Sequence, residues 1–415
     1  RIENEIELSV AKAKKDAFEE FQTTAKHYRD QLYAILTDNQ LSLPSTLKDV
    51  FQSLKVKKLV LKRDVLSAAQ GLLTHSDSDY NSPWRAEVIQ LIDQIKVTES
   101  SHYSSDLIDD TAGSLLKVAT TEAAYAENAP LVDGRQILQE NFTALLSDDP
   151  RVVIFGEDTG KIGGVNKALE GLQEHFGESR VFDTSIREAS IIGQGIGLAM
   201  RGLRPIAEIQ YLDYIFYAIN ILTDDLATLR YRSVGQQVAP LIIRTRGHRL
   251  EGIWHSGSPM GGLVHLLRGI YILSPRNMTQ AAGMYNTLLK ANEPGLIIEP
   301  LNAYRLKERL PENLGKFTVP IGVVEHVHRG TDITVVSYGS TLRIVQEVIP
   351  SLESRGITIE LIDVQTLWPF DVENQCVESI KKTNRLAIID EDVPGGYSGY
   401  LLQQILEKQG GYRYL

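Results

Sequence analysis

Cysteine is almost missing from this sequence: Cys376 stands alone among 415 residues, so neither an internal disulfide nor a cysteine-based zinc cluster can form. A reducing compartment follows as the expectation, and the chain is read as cytoplasmic. No apolar run approaches the ~20 residues of a membrane-spanning helix, and the opening Arg1-Ile2-Glu3-Asn4-Glu5 has nothing of a secretion signal. No membrane association is expected. An excess of positive charge is also lacking, since 43 Lys and Arg face 53 Asp and Glu for a net charge of −10. Nonspecific binding to nucleic acid depends on Lys and Arg displacing counterions from phosphates, so nucleic acid is excluded as an expected partner. Without a secretion signal, Asn141-Phe142-Thr143 is a chance match to the glycosylation pattern. No constellation of His and Cys with metal-ligand spacing is visible.

What is present is the composition of an ordinary globular protein, 43% hydrophobic and 23% charged. At about 100 to 200 residues per domain, the length corresponds to two to four domains. Residues 1 to about 33 read as one amphipathic helix, with Ile2, Ile6, Val10, Ala13, Ala17 and Phe21 forming an apolar stripe. After a loop closed by Pro44, helices are expected over Thr46–Leu54, Lys62–Leu73 and Trp84–Ile95. Thr74–Asn81 reads as a loop, and Thr98–Thr121, rich in Ser, Asp and Thr, as a linker.

From Leu131 the pattern changes. A helix over Gly134–Leu146 leads to Val152-Val153-Ile154-Phe155, an apolar run too short for a helix and bounded by Gly156, as a buried parallel strand reads. Strand-like runs recur at Pro205–Ile209, Leu241–Arg244, Tyr271–Leu273 and Leu296–Ile298. They are separated by helical stretches at Ala189–Met200, Ile215–Arg230 and Met278–Lys290. This alternation predicts an α/β fold with a parallel sheet covered on both faces. Asn302–Pro320 reads as a connector. A second α/β unit follows, with strands at Ile333–Ser337, Ile357–Val364 and Leu386–Asp390 and helices at Leu342–Ser351 and Val372–Lys381. Gly193-Gln194-Gly195-Ile196-Gly197 has the wrong spacing for a dinucleotide fingerprint and is expected to permit close helix packing. Gly396-Tyr397-Ser398-Gly399-Tyr400 misses the nucleophile-elbow pattern by one position.

Several runs occur together and in order: Val152-Val153-Ile154-Phe155-Gly156-Glu157-Asp158, Arg180-Val181-Phe182-Asp183-Thr184-Ser185-Ile186-Arg187-Glu188, Gly202-Leu203-Arg204-Pro205 with Ala207-Glu208-Ile209-Gln210, Ile253-Trp254-His255-Ser256, and Gly330-Thr331-Asp332-Ile333-Thr334-Val335-Val336. Through them the sequence, from roughly residue 130 onward, resembles the β subunit of the thiamin-diphosphate-dependent decarboxylating component of the pyruvate and branched-chain 2-oxoacid dehydrogenase complexes. The resemblance implies a transketolase-like pyrimidine-binding domain over 126–305, a connector over 306–325 and a transketolase-type C-terminal domain, incomplete, over 326–415. The helical segment and linker over 1–125 resemble the tail of the family's α subunit. The chain is therefore expected to be a piece of an α-β fusion.

The resemblance also implies a function: oxidative decarboxylation of a 2-oxo acid, with transfer of the acyl group to a lipoyl carrier. Glu188 occupies the position of the glutamate that bonds a ring nitrogen of the cofactor and favours its imino tautomer. Ile186, Gln210 and Tyr214 match positions lining the aminopyrimidine. Glu157, a cofactor-binding candidate, follows the strand Val152–Phe155 together with Asp158; the pair either orders the loop on the cofactor side or only solvates a strand end. His255 matches the family's His-Ser position and suits a general acid or base, because histidine titrates near neutrality. There are departures. Gly257 stands where the family has Gln, and Arg246–Glu251 carries fewer glycines than usual. The family's Gly-Asp-Gly motif and its following Asn, which hold the diphosphate and Mg²⁺, are lacking, so that half of the site is expected from elsewhere. A structural potassium site found in some relatives is not carried over, because the acidic residue expected there falls near Ala291. The implied partners are a 2-oxo acid, the lipoyl domain of an acyltransferase and an α-type half, in a homodimer or α2β2-like assembly. Two alternatives remain open from sequence: a transketolase or synthase type of thiamin enzyme, and a non-catalytic scaffold that keeps the fold.

Overall fold

The computed structural model describes residues 2–41, 43, 45–75, 82–104, 107–248 and 258–415, with the backbone alone at 101–104. Two compact units emerge, Arg1–Ser105 and Asp106–Leu415.

The first unit is four helices, α1 (Ile2–Asp38), α2 (Ser45–Val56), α3 (Lys62–His75) and α4 (Pro83–Ser104). Its core joins Ala25, Tyr28, Leu32 and Leu36 of α1 to Phe51, Val65, Leu72, Trp84, Val88 and Ile95. The amide of Gln22 closes a two-way bond with the backbone of Val60, both arms 3.0 Å. The expected stripe of α1 is not the buried one. Ile2, Ile6, Val10 and Phe21 are 73%, 56%, 61% and 58% exposed, and burial begins only at Gln22. Periodicity marks the face a helix could bury; whether a partner reaches it depends on the other helices, and these cover only the second half of α1. The expected linker from Thr98 is corrected as well, since α4 runs on to Ser104. Hydroxyls that usually favour loops bond back along the helix here, Thr98 to Gln94 O at 2.9 Å and Ser100 to Val97 O at 2.7 Å. The loop expected at Thr74–Asn81 begins later, because Thr74 and His75 end α3; Pro44 and 76–81 lie outside the described residues.

The second unit holds the site. Its strands are β1 (Leu131–Asp133), β2 (Val152–Gly156), β3 (Val181–Asp183), β4 (Arg204–Glu208), β5 (Ile242–Gly247), β6 (Tyr271–Leu273), β7 (Gly295–Pro300), β8 (Lys307–Arg309), β9 (Glu325–His328), β10 (Ile333–Ser337), β11 (Ile359–Asp363), β12 (Thr366–Trp368) and β13 (Leu386–Ile388). Its helices are α5 (Gly134–Asp148), α6 (Leu172–Phe176), α7 (Glu188–Met200), α8 (Leu229–Arg232), α9 (Met260–Leu266), α10 (Met278–Leu288), α11 (Gly339–Glu353), α12 (Gln375–Thr383) and α13 (Tyr397–Gln403). Seven strands form the main sheet in the order β12-β6-β7-β5-β4-β2-β3, parallel throughout except for β12 at the edge. Alternate residues serve opposite faces. Val152 and Ile154 pack with α5 and α10, whereas Val153 and Phe155 pack with α7 and α9. A four-stranded sheet, β13-β10-β11-β9, forms the carboxyl-terminal part, and β1 pairs with β8 as a separate ribbon.

Strand runs with unbroken apolar sequence form where expected, while β1, β8, β9 and β12, short and partly polar, escaped the pattern. The single helix expected over Ile215–Arg230 is broken: a 3-10 turn spans Leu212–Ala218, a π turn Ile221–Leu226, and α8 the remainder. Of the α7 glycines only Gly195 is a packing glycine. A Cβ there would stand 2.7 Å from Leu241, whereas Gly193 and Gly197 face open space.

Candidate active site

Parallel strands deliver their carboxyl ends to one edge of the sheet, and β2, β3 and β4 are neighbours there. Gly156 ends β2 because the chain runs against β4 at that point; a Cβ would lie 2.6 Å from the carbonyl oxygen of Glu208. The turn that follows puts Glu157 and Asp158 at the sheet edge, with Asp158 at φ +58°. From β4 the chain continues through Ile209 to Gln210, two residues past the strand end. The Gln210 amide donates to Asp158 Oδ2 at 3.2 Å, and the Gln210 carbonyl accepts from Arg246 Nη1 at 2.8 Å. β3 leads into α7, whose first residue is Glu188. Glu188 is half-buried, and its carboxylate makes no hydrogen bond or ion pair among the described residues.

Electrostatics shows how closely these groups sit. Partial burial raises the carboxyl of Glu157 above its usual range, and the charges of Asp158, Glu188 and Glu208 add to the rise. Partial burial likewise raises the phenol of Tyr214, helped by Tyr217, Asp213, Glu157 and Glu188. Tyr211, Tyr214 and Tyr217 form a run of neighbouring rings, with centroids 6.3 and 6.1 Å apart. The structure thus brings Glu157, Glu188, Gln210 and Tyr214 together. Ile186 precedes Glu188 by two residues and is 74% exposed, so nothing among the described residues covers it. His255 lies outside the described residues.

Beneath the edge lies a network that sequence reading missed. Glu208 of β4 accepts from Arg244 Nη1 and Arg246 Nη2 of β5, each at 2.7 Å. Arg244 also meets Glu299 of β7 at 2.9 Å, and Tyr285 donates to Glu299 at 2.6 Å while Tyr304 closes on the same carboxylate. All six side chains are buried. Burial works against ionisation of Glu299, but Arg244 and Arg246 outweigh it and hold the carboxyl below its usual range. Two guanidiniums balance two carboxylates, so the network is neutral and the free negative charge stays at the rim with Glu157, Asp158 and Glu188. The signal available in sequence was a charge inside each of three apolar strands, Ala207-Glu208, Ile243-Arg244 and Ile298-Glu299; their pairing needs the register that sets Glu208 beside Arg244.

A carboxylate edge with an uncommitted glutamate and a shelf of tyrosines suits a flat heterocycle that donates N–H groups. The donor set therefore fits the pyrimidine half of thiamin diphosphate. The transketolase pyrimidine-binding domain family matches residues 131–307, and the transketolase C-terminal domain family matches 322–413. The chain is 35% identical over 266 residues to the pyruvate dehydrogenase E1 component subunit beta of Acholeplasma laidlawii, covering 63% of this chain and 80% of that one. It is 40% identical over 271 residues to the mitochondrial 2-oxoisovalerate dehydrogenase subunit beta 2 of Arabidopsis thaliana, covering 63% and 74%. Among solved structures, an inactive β4 tetramer of a split-gene transketolase shares the fold, with a TM-score of 0.54 at 19% identity over 67% of this chain and 84% of that one. The chain belongs to the thiamin-diphosphate-dependent family of 2-oxoacid dehydrogenase β subunits.

Proposed function

We propose that this chain is the pyrimidine-binding half of an enzyme that oxidatively decarboxylates a 2-oxo acid and passes the acyl group to a lipoyl carrier. The observation that carries the reading is the convergence of Glu157, Glu188, Gln210 and Tyr214 at the carboxyl ends of adjacent parallel strands, the place where open α/β sheets hold cofactors. When bound, thiamin diphosphate supplies the electron sink that lets a 2-oxo acid lose carbon dioxide. This chain's part is binding and proton control. Glu188 offers an uncommitted carboxylate to a pyrimidine N–H and so holds a proton at that ring nitrogen. Glu157 and Asp158 keep the local field negative, which favours that proton. Gln210, tethered at both its amide and its carbonyl, offers a fixed edge, and Tyr214 forms the wall. His255 is assigned proton transfer on the substrate side. The diphosphate and its Mg²⁺ are assigned to an α-type half, in a homodimer of a fused chain or an α2β2-like assembly, and the acceptor is the lipoyl domain of an acyltransferase. With its one cysteine, Cys376, buried, the chain suits a reducing compartment such as the cytoplasm.

The test is decarboxylation by the native full-length assembly with an artificial electron acceptor, over a panel of 2-oxo acids and sugar phosphates. Turnover that needs thiamin diphosphate and Mg²⁺, and that drops by about 10² to 10⁴ in Glu188→Gln, is the expected result. An undiminished Glu188→Gln enzyme removes the assignment, and turnover of sugar phosphates alone replaces it with a transketolase-type reaction.

A further inference from the structure

Arg246 belongs to the buried network and also reaches up to the site. β5 keeps its pairing with β7 through Arg246 and Gly247, opposite Glu299 and Pro300, while its register with β4 stops at Arg244 opposite Glu208. One more backbone bond joins the two strands, from Ile209 N–H to the Arg244 carbonyl at 3.0 Å. Beyond it the chain of β4 parts from β5. A carbonyl that leaves a sheet at a partly buried edge needs a donor. For Gln210 that donor is a side chain and not the neighbouring strand: Arg246 Nη1 reaches its carbonyl at 2.8 Å.

The same guanidinium donates Nη2 to Glu208 Oε1 at 2.7 Å and Nε to the hydroxyl of Tyr304 at 3.2 Å, so each of its nitrogens is committed to a different residue. It is buried, which fixes the direction of all three bonds. The loop that carries Asp158 is fitted to this guanidinium as well. Gly164, at φ +75°, passes so close that a Cβ there would stand 3.2 Å from Arg246 Nη2. The Gly164 N–H donates to the carbonyl of Asp158 at 2.7 Å, and the Asp158 carboxylate takes the Gln210 amide at 3.2 Å. Arg246 therefore bears on both tethers of Gln210, the carbonyl directly and the amide through the Asp158 loop. Arg244, two residues back, directs its donors to Glu208, Glu299 and Tyr304, and among the described residues its guanidinium bonds neither Gln210 nor Asp158.

We propose that Arg246 is a positioning residue for the cofactor: by holding the Gln210 carbonyl where β4 parts from β5, it sets the Gln210 side chain against Asp158 and toward the pyrimidine. The inference rests on the role given to Gln210 above.

The experiment measures thiamin diphosphate binding by calorimetry, with Mg²⁺ present, on the native full-length assembly freed of cofactor. Wild type is compared with Arg246→Lys, Gln210→Ala and the Arg246→Lys/Gln210→Ala pair. Lysine keeps the charge beside Glu208 but offers one nitrogen, which cannot serve Glu208 and Gln210 from the two ends of a planar fork. Arg246→Lys is expected to weaken cofactor binding about tenfold, with kcat at saturating cofactor within about threefold of wild type. Because Arg246 acts through Gln210, the pair should bind within about twofold of Gln210→Ala alone. A role in stability alone would lower the melting temperature and leave the dissociation constant of the folded assembly unchanged. Wild-type affinity in Arg246→Lys, or losses that multiply in the pair, overturns the proposal while the role of Gln210 stands. If Gln210→Ala itself binds like wild type, the role of Gln210 falls and the proposal with it. Should Arg246→Lys fail to assemble, Arg246→Gln takes its place with the same threshold, and failure of both to assemble replaces positioning with a structural role.

Discussion

The rim of the sheet and the layer beneath it use the same residue type in opposite ways. At the rim, Glu157 and Glu188 face other carboxylates, and Glu157 binds its proton more tightly than usual. One layer down, Glu208 and Glu299 meet Arg244 and Arg246 at hydrogen-bond distance, and the guanidiniums hold the buried carboxyl of Glu299 below its usual range. The lower layer fixes the strands so that the upper one can stay electrostatically uncomfortable, which is the condition for holding a proton-bearing ligand. Glu360 repeats the lower pattern far from the site. It is buried among Lys382 at 2.6 Å, Gly330 N–H at 2.8 Å, Arg329 at 3.0 Å and His326 at 2.9 Å.

The harshest way to break the contrast is Arg244→Met, which leaves Glu208 short of one partner and strips Glu299 of its guanidinium. A loss of about 3–5 kcal/mol in stability is expected, read from denaturant unfolding, and a smaller loss implies that water or Arg246 fills the gap. Acid titration sharpens it next. Burial opposes ionisation of Glu360, but its four partners prevail and hold it at about 2. Its folded value lies below its unfolded one, so its contribution is present above about pH 4.5 and fades as pH falls toward 2. Glu360→Gln should be less stable at neutral pH and show a flatter acid limb in thermal melts. Glu157 has the opposite sign. Its folded value is raised, so the associated stability is complete below the ordinary carboxylate range and is lost as pH rises through the folded value. Glu157→Gln should remove that decline, and an unchanged pH–stability curve would separate Glu157 from the carboxylate cluster. The smallest effect is expected on the uncovered half of α1, where Val10→Lys should move the stability of this chain by no more than about 0.5 kcal/mol.

Parts of this architecture were legible in sequence for a physical reason. Val152–Phe155 and Ile333–Ser337 are strands buried on both faces, and only an apolar run satisfies that environment. Glu188, Gln210 and Tyr214 could be singled out because they stand in runs that resemble a known family's, and Glu157 because it follows an apolar strand at its carboxyl end. The α1 stripe misled because amphipathicity records a preference and not a neighbour. The stretch from Leu212 to Arg232 misled because local helical spacing does not show where the turn tightens or widens. The network of Glu208, Arg244, Arg246 and Glu299 stayed hidden because its members lie 36, 38 and 55 residues apart and meet only through strand order.

Sequence by itself determined the strand and helix alternation, the α/β class, the family and the acidic residues placed at strand ends, since these depend on residue type and short spacing. Tertiary structure alone decided which half of α1 is covered, which carboxylates are neutralised and which stay free, and how Arg246 comes to hold both Glu208 and Gln210. Those outcomes depend on the register between strands and on contacts spanning dozens of residues, and the energy of a buried charge is fixed by its neighbours in space.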